Sequence, residues 1–182
     1  MRPLYTIGIG RREVPDLLRD LQANGIRFLI DVRSRPFSGH KPTFNRDELK
    51  NALTGAGLNY AHWPALGGFP TSEHVIRHGH VDYRDLARQP EFQDHLDRLC
   101  AGLEEDQAIA ILCSEGRPEE CHRSKCIGVE LTERKVDVLH IDADGGLVTQ
   151  EAVMGRLTKD QFSLPGLEPV MRSKRSWGDG TD

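Results

Sequence analysis

Residues 108–132 read AIAILCSEGRPEECHRSKCIGVELT, and this stretch decides the fold. Ala108–Cys113 is an apolar run of strand length that ends in a cysteine, a loop containing Gly116 and Pro118 follows, and a helical pattern runs from about Cys121 to Thr132. Parallel strands need crossovers, most often helices, so a strand–loop–helix unit of this kind belongs to a parallel sheet. The same alternation recurs on both sides. Apolar runs stand at Leu4–Gly8, Ile26–Val32, Leu58–Trp63 and Val136–Ile141. Between them, Pro15, Leu17, Leu18 and Leu21 outline a helix that stops at Gly25, and Leu49 and Leu53 outline another that stops at Gly57, with Asn45 and Glu48 spaced as a capping box. Further helices are expected at Tyr83–Ala87 and from Pro90 to Cys100, where Phe92, Leu96 and Leu99 share a face. The pattern predicts an α/β domain of three layers, Rossmann-like, with a mostly parallel sheet of about five strands. That domain is expected over residues 1–165, followed by a polar, mobile tail at 166–182 carrying Trp177.

A chain of 182 residues, 37% hydrophobic and 29% charged, is the size of one globular domain that buries a core without staples. Its net charge of -4 gives no general pull towards nucleic acid, so any attraction for anions is local. No apolar run of about 7 to 15 residues follows the N-terminus and none approaches the ~20 of a membrane span. We therefore expect a cytoplasmic protein with no membrane partner. Four cysteines at positions 100, 113, 121 and 126, three of them within fourteen residues, make a poor disulfide framework and read as reduced thiols.

Ligands of open parallel sheets bind beyond the carboxyl ends of the strands, which directs attention to the loops. After the second run, Arg33, Arg35, Lys41 and Arg46 bring four positive charges with no acid between Asp31 and Asp47. Guanidinium groups grip phosphate or carboxylate at two points, so this loop is a candidate anion site; the alternative is a solvated loop paired with Asp31, Asp47 or Glu48. After the fourth run, Cys113 and then Cys121, His122 and Arg123 fall where a helix start and neighbouring cations lower a thiol pKa and attract anions. Cys126 lies five residues further on and reads as packing. Cys113, Cys121, His122 and Cys126 offer soft ligands and make a metal site a further alternative, but the C-x7-C-H-x3-C spacing lacks the two close pairs of a structural zinc site, and His74, His78 and His80 complete no ligand pattern, so no metal ligands are assigned. Gly8-Ile9-Gly10 would let a phosphate approach backbone amides, but Glu13 stands where the third glycine of the dinucleotide fingerprint belongs.

Taken in order, YTIGIG (5–10), LIDVRSRPFSGHKPTFN (29–45), LNYAHWPALGG (58–68), Tyr83-Arg84-Asp85, LCSEGRPEECHRSKCIGVEL (112–131) and VLHIDADG (138–145) resemble the domain-of-unknown-function family numbered 488, over residues 4 to about 146. The resemblance implies a compact Rossmann-like protein, assigns no reaction and names no cofactor. Its characteristic polar positions fall here on Asp31, Arg33, Pro36, Ser38, Gly67, Gly68, Tyr83, Cys113, Glu115, Cys121, His122, Arg123 and His140. Members commonly read T-I-G-H-S at the first strand end, whereas this chain has Thr6-Ile7-Gly8-Ile9-Gly10; His122, His140 and His62 are the substitutes for the missing histidine.

Three functions compete. The first is an enzyme or ligand-binding domain for an anionic, phosphate-containing small molecule, a class that includes nucleotides and nucleic-acid fragments. In it Glu115, Cys121, His122, Cys113 and Tyr83 form the reactive set, and Arg33, Arg35, Ser38, Gly67, Gly68, Arg123, Asp31 and His140 hold the substrate. The second is a sulfurtransferase, because LIDVR with a following GH, and C-x-x-G after a strand, look like rhodanese signatures; Gly116-Arg117 falls one residue short of C-x-x-G-x-R, and Glu119 and Glu120 put acid where donors belong. The third is a non-catalytic partner of protein or nucleic acid, touching phosphates through the 33–46 loop and Arg172, Lys174 and Arg175. No oligomeric state is read from the sequence.

Overall fold

A computed structural model describes residues 1–69, 73–159, 171–174 and 176. The elements run β1 (Leu4–Gly8), α1 (Val14–Ala23), β2 (Phe28–Asp31), α2 (Arg46–Gly55), β3 (Asn59–His62), the hairpin β4 (Ile76–Arg77) and β5 (His80–Val81), α3 (Tyr83–Ala87), α4 (Pro90–Glu104), β6 (Ile109–Cys113), a π-helical turn (Arg123–Gly128) leading into α5 (Val129–Glu133), β7 (Val138–Ile141), β8 (Leu147–Thr149) and α6 (Gln150–Lys159). The main sheet has the order β3-β2-β6-β1-β7-β8; the first five strands are parallel and β8 runs antiparallel to β7.

Alternation along the central strands makes the three layers. Leu29, Ala110 and Leu112 pack with Leu17 and Leu21 of α1 and Leu49 and Leu53 of α2. Their neighbours Ile30, Ile109, Ile111 and Cys113 pack on the other face with Leu86, Phe92, Leu96, Leu99 and Leu131 of α3, α4 and α5. Covering both faces is what allows β6 to be apolar at every position, and all five of its residues are buried.

The expected α/β class and Rossmann-like layering hold, with one strand more than the sequence predicts. β8 is a three-residue edge strand whose outer residues are exposed, so it carries no apolar alternation to read. Two local expectations change. Asn45 does not cap α2; its side-chain oxygen accepts from Ser38 N at 2.7 Å and so ties the 33–46 loop instead. Cys121 is not a helical residue: its backbone is extended, and the helix after β6 begins at Arg123 as a π-helical turn. Trp177, Arg175 and most of the segment expected to form a tail lie outside the described residues. Within that segment, residues 171–174 pair with the hairpin and α3, through Tyr83 N to Met171 O at 3.0 Å and Ser173 N to Val81 O at 2.9 Å.

Candidate functional site

Connections leaving β1 and β2 pass to the face of α1 and α2, and those leaving β3 and β6 pass to the face of α3, α4 and α5. The chain therefore diverges around the carboxyl end of β6, the place where open α/β sheets bind ligands. Cys113 ends β6 opposite Gly8 of β1. The loop from Ser114 then turns through Pro118–Glu120 and brings Cys121 and His122 back over Cys113. Two contacts fix the return: Ser124 Oγ donates to Pro118 O at 2.5 Å, and Gln150 Nε2 of α6 donates to Ser124 O at 3.0 Å.

Four side chains converge there. Cys113 Sγ lies 2.7 Å from Glu115 Oε2 and 3.5 Å from His122 Nδ1; Cys121 Sγ lies 3.3 Å and 3.6 Å from the same two atoms. Sulfur, nitrogen and oxygen donors all fall within 4.8 Å of one another. Both cysteines and His122 are buried and Glu115 is half-buried. Beside them Arg123 is fully buried; its guanidinium donates to Glu115 O and, at 2.8 Å, to Gly116 O, while its backbone N–H points at Cys121 Sγ at 3.4 Å.

The electrostatics separate the two thiols. Burial opposes ionisation at Cys121, but the hydrogen bond with Cys113 and the charges of His122 and Arg123 outweigh it and hold this thiol well below its ordinary value. At Cys113 burial, then the neighbouring Cys121 and Glu115, push the thiol up. Burial works against a charged His122, yet Cys121 and Glu115 raise its pKa. Tyr83, buried nearby, is pushed up by desolvation first and then by Cys121, Cys126, Glu115 and Cys113.

The other residues singled out from the sequence have different employment. Arg33 is buried against Asp31, with Nη2 2.5 Å from Oδ2, and also donates to Phe44 O at 2.8 Å. Ser38 accepts from Lys41 N at 3.1 Å and braces the loop. Gly67 and Gly68 are points of close approach; a Cβ on Gly68 would sit 3.0 Å from His122 Nδ1, so the glycine is what lets the imidazole lie there. His140 is fully buried between Thr6 Oγ1 and Gln150 Oε1, each at 2.7 Å, and His62 Nε2 meets Arg33 O at 2.8 Å, which leaves His122 as the histidine at the cluster. Arg35 is exposed. Cys126 donates to Tyr83 O at 3.4 Å, away from the cluster, as a packing residue would. Gly8 does not open a phosphate path, because Arg123 and the Glu115 carbonyl fill the space beside it. Ile9 packs into the α1–α2 core, on the opposite face from Cys113. Thr6 and Gln150 were not legible as site-supporting residues; the only signal was a threonine inside an apolar strand.

The two surface depressions lined by Arg2, Arg27 and Asp106, and by Tyr60, Trp63 and Arg98, share no residue with the cluster. Fold and site thus define a three-layer Rossmann-like α/β protein with a thiol-rich carboxyl edge. The family model described as Domain of unknown function DUF488 matches residues 13–127, and the chain belongs to this family. The match takes in the cluster and leaves out β1 and His140. No curated protein and no solved structure matches the chain significantly. Among the described residues no helix is long and apolar enough to cross a membrane.

Proposed function

We propose that the cluster at the carboxyl end of β6 is the working site of an enzyme or ligand-binding domain for an anionic, phosphate-containing small molecule. Glu115 and His122 carry protons and the thiols of Cys113 and Cys121 are the reactive or ligating groups. The observation that supports this is convergence: two thiols, a carboxylate and an imidazole meet where the loops diverge. His122 Nε2 and Arg123 Nε are buried there without hydrogen-bond partners among the described residues. Each such atom costs about 1–3 kcal/mol, a concentration of penalties that folds tolerate mainly where function requires it.

This reading gives the arginines different roles. Arg33 and Arg123 are positioning residues, the first holding Asp31 and the second fixing the loop carbonyls of Glu115 and Gly116. Contact with an incoming anion is assigned to Arg117, on the loop that carries Glu115, and to Arg35, exposed on the basic loop after β2. Thermal-shift titration with inorganic phosphate, nucleotides and sugar phosphates tests the reading. A binding anion should lose roughly tenfold or more in affinity in Arg35→Ala, Arg117→Ala or His122→Gln, the worth of one charge-assisted hydrogen bond. A panel without any shift, or hits retained in all three variants, refutes it.

The sulfurtransferase reading is the weaker of the two. A persulfide carrier sits in a ring of amide donors. Cys121 Sγ receives one, from Arg123, while Glu115 and Gly116 turn their carbonyls towards the guanidinium. Transfer from thiosulfate to cyanide that either Cys113→Ser or Cys121→Ser abolishes would reverse this ranking.

A further inference from the structure

We propose that Cys113, Cys121 and His122 are fixed ligands of a zinc-class divalent cation, with Glu115 as a displaceable fourth donor. The inference deepens the reading of this cluster as the working site and rests on it; with His122 held on the ion, Glu115 is the group left to carry protons.

Distances carry the argument. Zinc bonds to sulfur at about 2.3 Å and to imidazole nitrogen at about 2.0–2.1 Å, so a tetrahedral ion places a sulfur and a nitrogen ligand about 3.6 Å apart. His122 Nδ1 stands 3.5 Å from one sulfur and 3.6 Å from the other. A carboxylate oxygen at a fourth vertex would also lie about 3.6 Å from each sulfur. Glu115 Oε2 is nearer, at 2.7 Å and 3.3 Å, where it accepts from the thiols. The two sulfurs and the nitrogen therefore stand ready for an ion, and Glu115 must withdraw by a fraction of an ångström to join them. Three fixed protein ligands and one labile position is the arrangement of catalytic zinc, whereas structural sites are closed.

The surroundings agree with the donors. Gly68 supports the His122 ring, the Arg123 amide points at Cys121 Sγ, and Arg123 holds the loop that carries Glu115. Such outer contacts orient ligands for a metal. The sequence pattern concealed the set because its donors come from a strand end and a returning loop, and because the third nearby cysteine, Cys126, bonds to Tyr83 O instead. Binding needs both sulfurs as thiolates and His122 neutral, so the protons these groups hold pass to solvent, and the dithiolate–imidazole complex is neutral, with a coordination position open to an anion when Glu115 moves aside. The cation also supplies a coordination position for an anion, which Arg33 and Arg123, engaged within the fold, do not offer a ligand.

Metal analysis of the purified full-length protein should find about one zinc per chain, competed away only by a strong chelator. Cobalt in its place should show a sulfur-to-cobalt charge-transfer band and intense tetrahedral d–d bands. Cys113→Ser, Cys121→Ser and His122→Gln, each checked for native circular dichroism, should weaken zinc by well over about tenfold, Glu115→Gln should weaken it less, and Cys100→Ser should leave it unchanged. A folded wild-type chain that binds zinc no better than the Cys121→Ser variant, or cobalt without the thiolate band, overturns the site. Equal losses at Glu115 and the cysteines overturn the division between fixed and displaceable ligands. Zinc without any phosphate-ligand shift would count against the anionic substrate and not the metal; phosphate binding by a metal-free chain would do the reverse.

Discussion

A side chain at position 8 has no room. Any Cβ there would collide with the Glu115 carbonyl oxygen and with Arg123 Nη1, and would come within 2.8 Å of the Glu115 carbonyl carbon. Because one of these neighbours is backbone and the other is held by two carbonyls, neither yields cheaply. Gly8→Ala should destabilise the fold by about 3 kcal/mol in urea denaturation and should loosen the Glu115 loop. An unchanged midpoint would mean that the loop moves freely. The Asp31 carboxylate gives a second test. It accepts from Arg33 Nε at 2.9 Å, from Arg33 Nη2 at 2.5 Å and from Tyr60 OH at 2.8 Å, with no exposure to solvent. Asp31→Asn leaves a buried guanidinium without its counter-charge and should lower stability by about 3–5 kcal/mol, against about 1 kcal/mol for Tyr60→Phe, which removes one hydrogen bond. Similar losses in the two variants would refute this ordering.

Among the elements, α6 has the least obvious attachment. It docks through Gln150, whose side chain joins His140 of β7 to Ser124 O of the π-helical turn, while Val153 is buried beneath it. Burial is the main reason that the His140 pKa falls to about 4 from an ordinary 6.5. The sign follows from this depression. Between pH 6.5 and about 4 the unfolded chain takes up a proton that the folded chain refuses, so stability present above pH 6.5 drains away as the pH falls through that window. The loss reaches about 3 kcal/mol by the lower end. Urea denaturation from pH 7 to pH 4.5 should show this slope in the wild type and a shallower one in His140→Gln. The same slope in both would assign acid sensitivity elsewhere.

On the scale of the whole molecule, residues 171–174 act as a strap across the β4–β5 hairpin and α3. Ser173 exchanges bonds with Val81 through its backbone N–H and its side-chain Oγ, and Met171 packs on the core that contains Cys113 and Cys121. Truncation after residue 170 should speed hydrogen exchange at Val81 and Tyr83 while leaving the amides of β1 and β6 protected; unchanged exchange at Val81 would show that the strap adds nothing. Much of this architecture was legible beforehand. Five strands, the helix faces around Leu17, Leu49 and Leu96, and the gathering of thiol, carboxylate and imidazole residues after β6 follow from apolar periodicity and from residue types that a core rejects. Those signals are local: a strand buried on both faces must be apolar throughout, and a helix must repeat its apolar residues every three or four positions. The pairing of Arg33 with Asp31 was one of two readings the sequence left open, whereas the antiparallel edge strand β8 and the partners of Arg123 and His140 were not legible, since each depends on which groups meet in three dimensions. Sequence by itself determined the layers and the composition of the site. Tertiary structure alone decided that Arg33 and Arg123 spend their guanidinium groups on Asp31 and on loop carbonyls, and that two sulfurs, a nitrogen and an oxygen share one centre, because distances between residues of different elements are set by packing and not by spacing along the chain.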